Sequence, residues 1–244
     1  YQAEPFRSMS GVEFHNWLGS DKQVGLPAGF RAESAYSQLE TAKTDTELRQ
    51  VYRTPHGQVA LIQQWDAGTS SWHPVRHPCS TVEEVRILRD WYDHLEVIPA
   101  PDQLETARAQ ARAFGETAAT CCQIGESPLM FWIEYLAGVE NGHFLLADAR
   151  EEVEGLFDAI HRHLCRCAER VCRDNPADLV YMIENTSTTL ISPAQYERYC
   201  LGYLGEYAAI AAAHGKPMVL HMCGHLKGLL PLLARVPVQA FEAF

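Results

Sequence analysis

From about residue 76 onward, segments with apolar residues at helical spacing alternate with short continuous apolar runs. These two patterns mark amphipathic helices and buried strands. STVEEVRILRDWYDHL opens on a capping box, with Ser80 as cap and Glu83 three residues on. APDQLETARAQARAFG repeats the signal with Asp102, Glu105 and a terminating Gly115. AATCCQI reads as a buried strand, PLMFWIEYLAG as a helix, and DAREEVEGLFDAIHRHLCRCAERVC as a long helix. ADLVYMI is the next strand, ending at Glu184–Asn185. SPAQYERYCLGYLGEYAAIAAAHG carries the clearest helix signal: Ser192 caps, Pro193 fills the first turn, Gln195 completes the box and Gly215 stops it. PMVLHMC is a strand, LKGLLPLLARV a helix, and VQAFEAF begins another strand.

Residues 1–75 are less regular, with Gly25, Pro27 and Gly29, then VYRTPHGQVALIQQW, where Pro55-His56-Gly57 separates two strand-like halves and predicts a hairpin. The expected organisation is an N-terminal cap and hairpin over 1–75, part of the same domain, followed by a partial barrel over 76–244. Helices alternating with buried strands imply an α/β fold with a parallel sheet, and a (β/α)8 TIM barrel is the expectation. At roughly 30 residues per βα unit, residues 76–244 hold five or six units. A full barrel takes roughly 200–250 residues. The barrel is therefore expected to be incomplete within this chain, with its last strands beyond Phe244.

Composition narrows the function. The formal net charge is -11, which argues against nucleic acid, whose binders carry clustered Lys and Arg. No apolar run is long enough to span a membrane. YQAEPFRSMS shows no charged flank followed by an apolar core, so no signal peptide is expected and a cytoplasmic location is. Eight cysteines in 244 residues fit reduced thiols, most of them small buried hydrophobes.

The chemistry concentrates in MVLHMCGHL, where His221 and Cys223 stand two apart. Side chains two apart on a strand share a face, and imidazole with thiolate suits zinc. A buried histidine beside a buried thiol is the alternative. Glu184 and Asn185 end the preceding strand, and on a barrel they would face the same mouth. Glu184 would serve as a fourth zinc ligand, or as a base and substrate orienter, unless the pair only caps a loop. Glu126 and Ser127, after AATCCQI, would line that mouth as substrate contacts. In HRHLCRCAERVC, His161 and Cys165 share a helical face with Cys172 two turns on. Their mid-helix position predicts packing against the sheet rather than metal. Tyrosines 196, 199, 203 and 207 have helical spacing and read as core.

The run ENTSTTLISPAQYERYCLGYLGEYAAIAAAHGKPMVLHMCGHLKGLLPLL resembles the late-central part of the uroporphyrinogen decarboxylase superfamily. The carrying features are Ser192-Pro193, then Gly215 and Pro217 before a strand, and His221-x-Cys223-Gly224 before a helix. YRTPHGQV resembles that superfamily's early hairpin. The resemblance implies a TIM barrel and two possible activities. One branch decarboxylates uroporphyrinogen with the help of an N-terminal Arg-Gln-Ala-Gly-Arg-Tyr stretch, which this chain does not show: Arg7 and Arg31 stand alone. The other branch moves methyl from a corrinoid protein to a thiol or related acceptor at a zinc bound by His-x-Cys and a later Cys. The resemblance implies His221 and Cys223 as two of those ligands, with the third beyond Phe244. The expected activity is a zinc-dependent methyltransferase with a corrinoid protein as partner and a small thiol as acceptor, compatible with a homodimer. A decarboxylase, or a non-catalytic barrel that binds a corrinoid or tetrapyrrole, remains the alternative.

Overall fold

The structure, a computed structural model, describes residues 4–243. Tyr1 to Ala3 of the N-terminal segment and Phe244 of the last strand-like run lie outside the described residues. After α1 (Gly11–Leu18) come β1 (Gln23–Gly25), β2 (Phe30–Glu33) and an antiparallel sheet of β3 (Gln38–Lys43), β4 (Glu47–Thr54), β5 (Gly57–Asp66) and β6 (Ser71–Arg76). Pro55 and His56 form the tight connection between β4 and β5, in the expected hairpin.

The second part holds α2 (Val82–Asp93), β7 (Glu96–Pro99), α3 (Pro101–Phe114), β8 (Ala119–Gln123), α4 (Pro128–Phe131), α5 (Val139–Asp148) and α6 (Arg150–Asp174). It continues through β9 (Leu179–Ile183), α7 (Pro193–Tyr199), α8 (Leu201–Ala213), β10 (Met218–His221), α9 (Leu230–Leu233) and β11 (Ala240–Glu242). A parallel five-stranded sheet runs β1-β8-β9-β10-β11. Among the described residues this sheet is an open arc. It reaches back to β1, inside the segment assigned to the cap, while β2 pairs with β7 apart from it.

The strands read as continuous apolar runs, yet burial alternates along β9. In β9, Val180 and Met182 are fully buried while Leu179, Tyr181 and Ile183 are only partly so. In β10, Met218, Val219 and Leu220 are all buried and His221 is half-buried. The core on the helix side joins Leu88, Trp132, Phe157, Tyr196 and Tyr207, aromatics and aliphatics whose burial contributes about 1.5–3 kcal/mol each.

Local signals hold with three corrections. The α2 cap is Thr81, whose hydroxyl accepts from the Glu84 amide at 3.3 Å while Glu84 accepts from the Thr81 amide at 3.0 Å. The box thus sits one residue past Ser80 and Glu83, in the register that buries Val85, Leu88 and Tyr92. Asp102 does not cap α3, which starts at Pro101 after Ala100. Its carboxylate instead pairs with Arg31 at 2.7 Å. The helix read through PLMFWIEYLAG is broken by a π-helical turn at Trp132–Leu136. The Ser192–Gln195 box is present as expected.

Candidate functional site

The loops after β8, β9 and β10 meet at the C-terminal edge of the arc, the face on which barrel enzymes place their chemistry. Parallel register aligns them: His221 lies opposite Ile183 on one side and Glu242 on the other.

Ser127 and Glu184 form the buried centre. The Ser127 amide donates to Glu184 Oε1 at 2.6 Å and its hydroxyl to Oε2 at 2.8 Å. The hydroxyl also lies 3.6 Å from Cys200 Sγ. Glu184 is sealed from solvent, and burial raises its carboxyl to about 7 against the lowering effect of the two Ser127 bonds. Glu126 is pushed further, to about 9, by burial and by the neighbouring Glu134 and Glu184. Glu134 is also raised, by burial, with its Asn185 bond opposing. Glu126 Oε2 and Glu134 Oε1 are both buried without a hydrogen-bond partner. Unpartnered polar atoms of this kind are costly and concentrate at functional sites.

Asn185 links this cluster to Cys223. Its Nδ2 donates to Glu134 Oε2 at 3.2 Å, and its Oδ1 accepts from Cys223 Sγ at 3.3 Å. It does so with φ of +26°, a conformation that strains a residue with a Cβ. Gly224 then follows Cys223 for reasons of space rather than of a left-handed turn. A Cβ there would run into the Thr186 carbonyl and lie 2.6 Å from Ser187 Cβ.

His221 and Cys223 flank Met222, which is fully buried, while His221 is half-buried and Cys223 exposed. His221 leans toward β11, where its Nδ1 pairs with Glu242 Oε2, and Tyr181 donates to the same carboxylate oxygen at 2.8 Å. These bonds hold the Glu242 carboxyl below its ordinary range, the His221 contact most. Cys223 leans toward β9. Among the described residues no third Asp, Glu, His or Cys joins the two in a compact ligand group.

The structure therefore connects Glu126, Ser127, Glu184, Asn185 and Cys223, with His221 on a neighbouring branch. Sequence reasoning missed Glu134 and Glu242. Glu134 was hidden inside an apolar helical run, and the π turn that presents it has no simple sequence signal. Glu242 is found only through strand register. The expectation that Cys165 packs against the sheet is also corrected: it faces α8, 3.6 Å from His161 Nε2. A cavity of about 650 Å3 lies apart from these residues, between α5 and α7, lined by His143, Arg150, Gln195 and Arg198. No helix is long and apolar enough to cross a membrane among the described residues.

The model of the uroporphyrinogen decarboxylase (URO-D) family matches residues 74–243. The chain belongs to the URO-D family. No curated protein matches it. Among solved structures, a methyltransferase from Methanosarcina mazei has a similar fold, with a TM-score of 0.55 at 14% identity. The similarity covers 94% of this chain and 59% of that one. This URO-D chain thus spans about three-fifths of its structural neighbour.

Proposed function

We propose that the chain is a methyltransferase of the URO-D family that moves a methyl group from a corrinoid protein to a small thiol or related acceptor. The observation that carries this reading is the strand-end pair His221 and Cys223, with His221 Nδ1 already held by Glu242. A carboxylate on one imidazole nitrogen fixes the ring and leaves the other, Nε2, as the donor, the usual arrangement behind a zinc ligand. The nitrogen–sulfur donor set also suits zinc. His221, held toward β11, and Cys223, held toward β9, would turn to each other so that Nε2 and Sγ hold the ion, with further ligands from elsewhere.

When bound, zinc would keep an acceptor thiol as the thiolate that attacks methyl. The remaining work falls to the chain's own side chains. Asn185 orients Cys223, and Glu134, reached through Asn185, takes up the proton that the acceptor gives off. Glu126, protonated at neutral pH because of its raised carboxyl, keeps the carboxylate cluster from gaining a further charge. Glu184 holds Ser127 and so fixes the loop after β8: it positions rather than reacts.

The competing decarboxylase reading needs cations for a substrate with many carboxylates. The side chains gathered at the strand ends, Glu126, Glu134, Glu184 and Glu242, are acidic, and Arg31 is engaged by Asp102 away from them. That acidity favours the methyl-transfer reading.

The test is to incubate the full chain with zinc, methylcobalamin and a panel of small thiols, following loss of the methylcobalamin absorbance. Transfer that disappears in His221→Ala and Cys223→Ser is the expected result. No transfer to any thiol, together with zinc content unchanged in both variants, would overturn the proposal.

A further inference from the structure

Outside the strand-end site, a second set of metal-ligating side chains meets where α6 packs on α8. His161, Cys165 and Glu206 bring one ligand atom each to within 4.8 Å of one another. His161 and Cys165 are four apart on one helical face, and Glu206 comes from the facing helix. His161 Nε2 is 3.0 Å from Glu206 Oε2 and 3.6 Å from Cys165 Sγ. On a tetrahedral zinc with bonds of about 2.0 Å to nitrogen or oxygen and about 2.3 Å to sulfur, ligand atoms lie roughly 3.3–3.6 Å apart. The two edges that meet at His161 Nε2 are close to those an ion would impose.

The imidazole is also oriented as a ligand. Tyr207 Oη contacts His161 Nδ1 at 2.8 Å, and Tyr203 stacks on the ring at 4.2 Å with an interplanar angle of 19°. The first contact fixes which nitrogen faces the cluster, the role an outer hydrogen bond plays behind metal-bound histidines. The ring itself is largely covered, at 12% side-chain exposure, while Glu206 is 63% exposed. Cys165 and Glu206 border a cavity of about 500 Å3 with Arg166, Glu169 and Arg170, room for a fourth, exchangeable ligand.

We propose that His161 Nε2, Cys165 Sγ and the Glu206 carboxylate form a binding site for a borderline divalent cation, zinc above all, that clamps α6 to α8 and leaves one coordination position open to solvent. Binding replaces the Cys165 thiol proton with the metal, and the proton leaves to solvent. Affinity therefore rises with pH. Burial raises the Cys165 thiol to about 11, so the cation must outcompete a firmly held proton.

The test uses the full chain carrying His221→Ala and Cys223→Ser, so that the strand-end pair is absent and its fate does not enter. Cobalt(II) is titrated in and the near-ultraviolet thiolate-to-cobalt charge-transfer band recorded. One equivalent should produce the band, Cys165→Ser should abolish it, and Glu206→Gln should weaken cobalt binding at least tenfold. Glu206 is exposed, so its substitution leaves the fold intact even if Cys165→Ser does not. No band in the parent, a band that survives Cys165→Ser, or unchanged affinity in Glu206→Gln would each overturn the site.

Discussion

Ser127 and Glu184, 57 residues apart in the chain, meet at the ends of adjacent strands through two hydrogen bonds from one serine, 2.6 Å from its amide and 2.8 Å from its hydroxyl. Both favour the ionised carboxylate, while burial opposes it. Replacing Ser127 by Ala removes one of the two donors and leaves Glu184 Oε2 in a dry site. The cost expected is about 1–3 kcal/mol, and the Glu184 carboxyl should move further up from about 7. Chemical denaturation measures the first effect and carbon-13 NMR titration of the carboxyl the second. An unmoved titration would show that the hydroxyl contributes nothing to the ionised form.

A second expectation concerns pH. Glu184 and Glu126 are raised from 4.5 in the unfolded chain to about 7 and about 9 in the folded one, and Glu134 is raised as well. A raised carboxyl binds its proton more tightly when folded, so its contribution is complete below the unfolded value and is lost as pH climbs through the folded one. Stability should fall between about pH 5 and 9, by up to about 1.4 kcal/mol per pH unit for each such group. Glu126→Gln should flatten the decline between pH 7 and 9. Urea unfolding of both proteins across that range decides it, and an identical slope would remove Glu126 from the explanation.

Asn185 offers a paired comparison. Glycine there relieves the left-handed strain but gives up both side-chain bonds, whereas alanine loses the bonds and keeps the strain. Asn185→Gly should be more stable than Asn185→Ala by about 1 kcal/mol. Both should lose the proposed methyl transfer to a similar degree, since neither can join Glu134 to Cys223. Equal melting temperatures would mean the backbone there carries no strain.

Gly224→Ala tests the close passage of the β10 turn over the β9 loop. The atoms in the way include the Ser187 Cα at 2.9 Å, part of a backbone that cannot swing aside as a side chain does. Overpacking of this kind costs about 1–3 kcal/mol, and each kcal/mol lowers Tm by about 2–4 °C in a chain of this size. An unchanged Tm would show that the loop yields freely.

Glu242→Gln bears on the proposed zinc site. The neutral amide still fills the space but no longer offers His221 Nδ1 a charged acceptor that fixes the ring. Zinc affinity at the strand end should drop by about 10–100-fold, read by competition with a chromogenic chelator. Retained affinity would mean that His221 needs no carboxylate behind it.

Much of this was legible from the sequence because the signals were local. Ser192, Pro193 and Gln195 specify a helix start within four residues, and the structure places it there. Ser80-Thr81 followed by Glu83-Glu84 offers two equivalent boxes, and only the packing of Val85, Leu88 and Tyr92 selects the second. The candidate site was half legible. Residues at strand ends, such as Glu126, Ser127, Glu184 and Asn185, could be found from topology alone. Glu134 and Glu242 could not, because a π turn and a strand register decide their positions. Cys165 shows the same limit: helical spacing identifies its face, but not which neighbour that face meets.

Burial along β9 switches from residue to residue, so the positions that anchor the helices and those that could meet a reactant interleave on one strand. Exchanging Tyr181 or His221 leaves Val180, Met182 and Leu220 seated where they were. A scaffold wired in this way can trade one chemistry for another by changing every second side chain, without renegotiating how it folds.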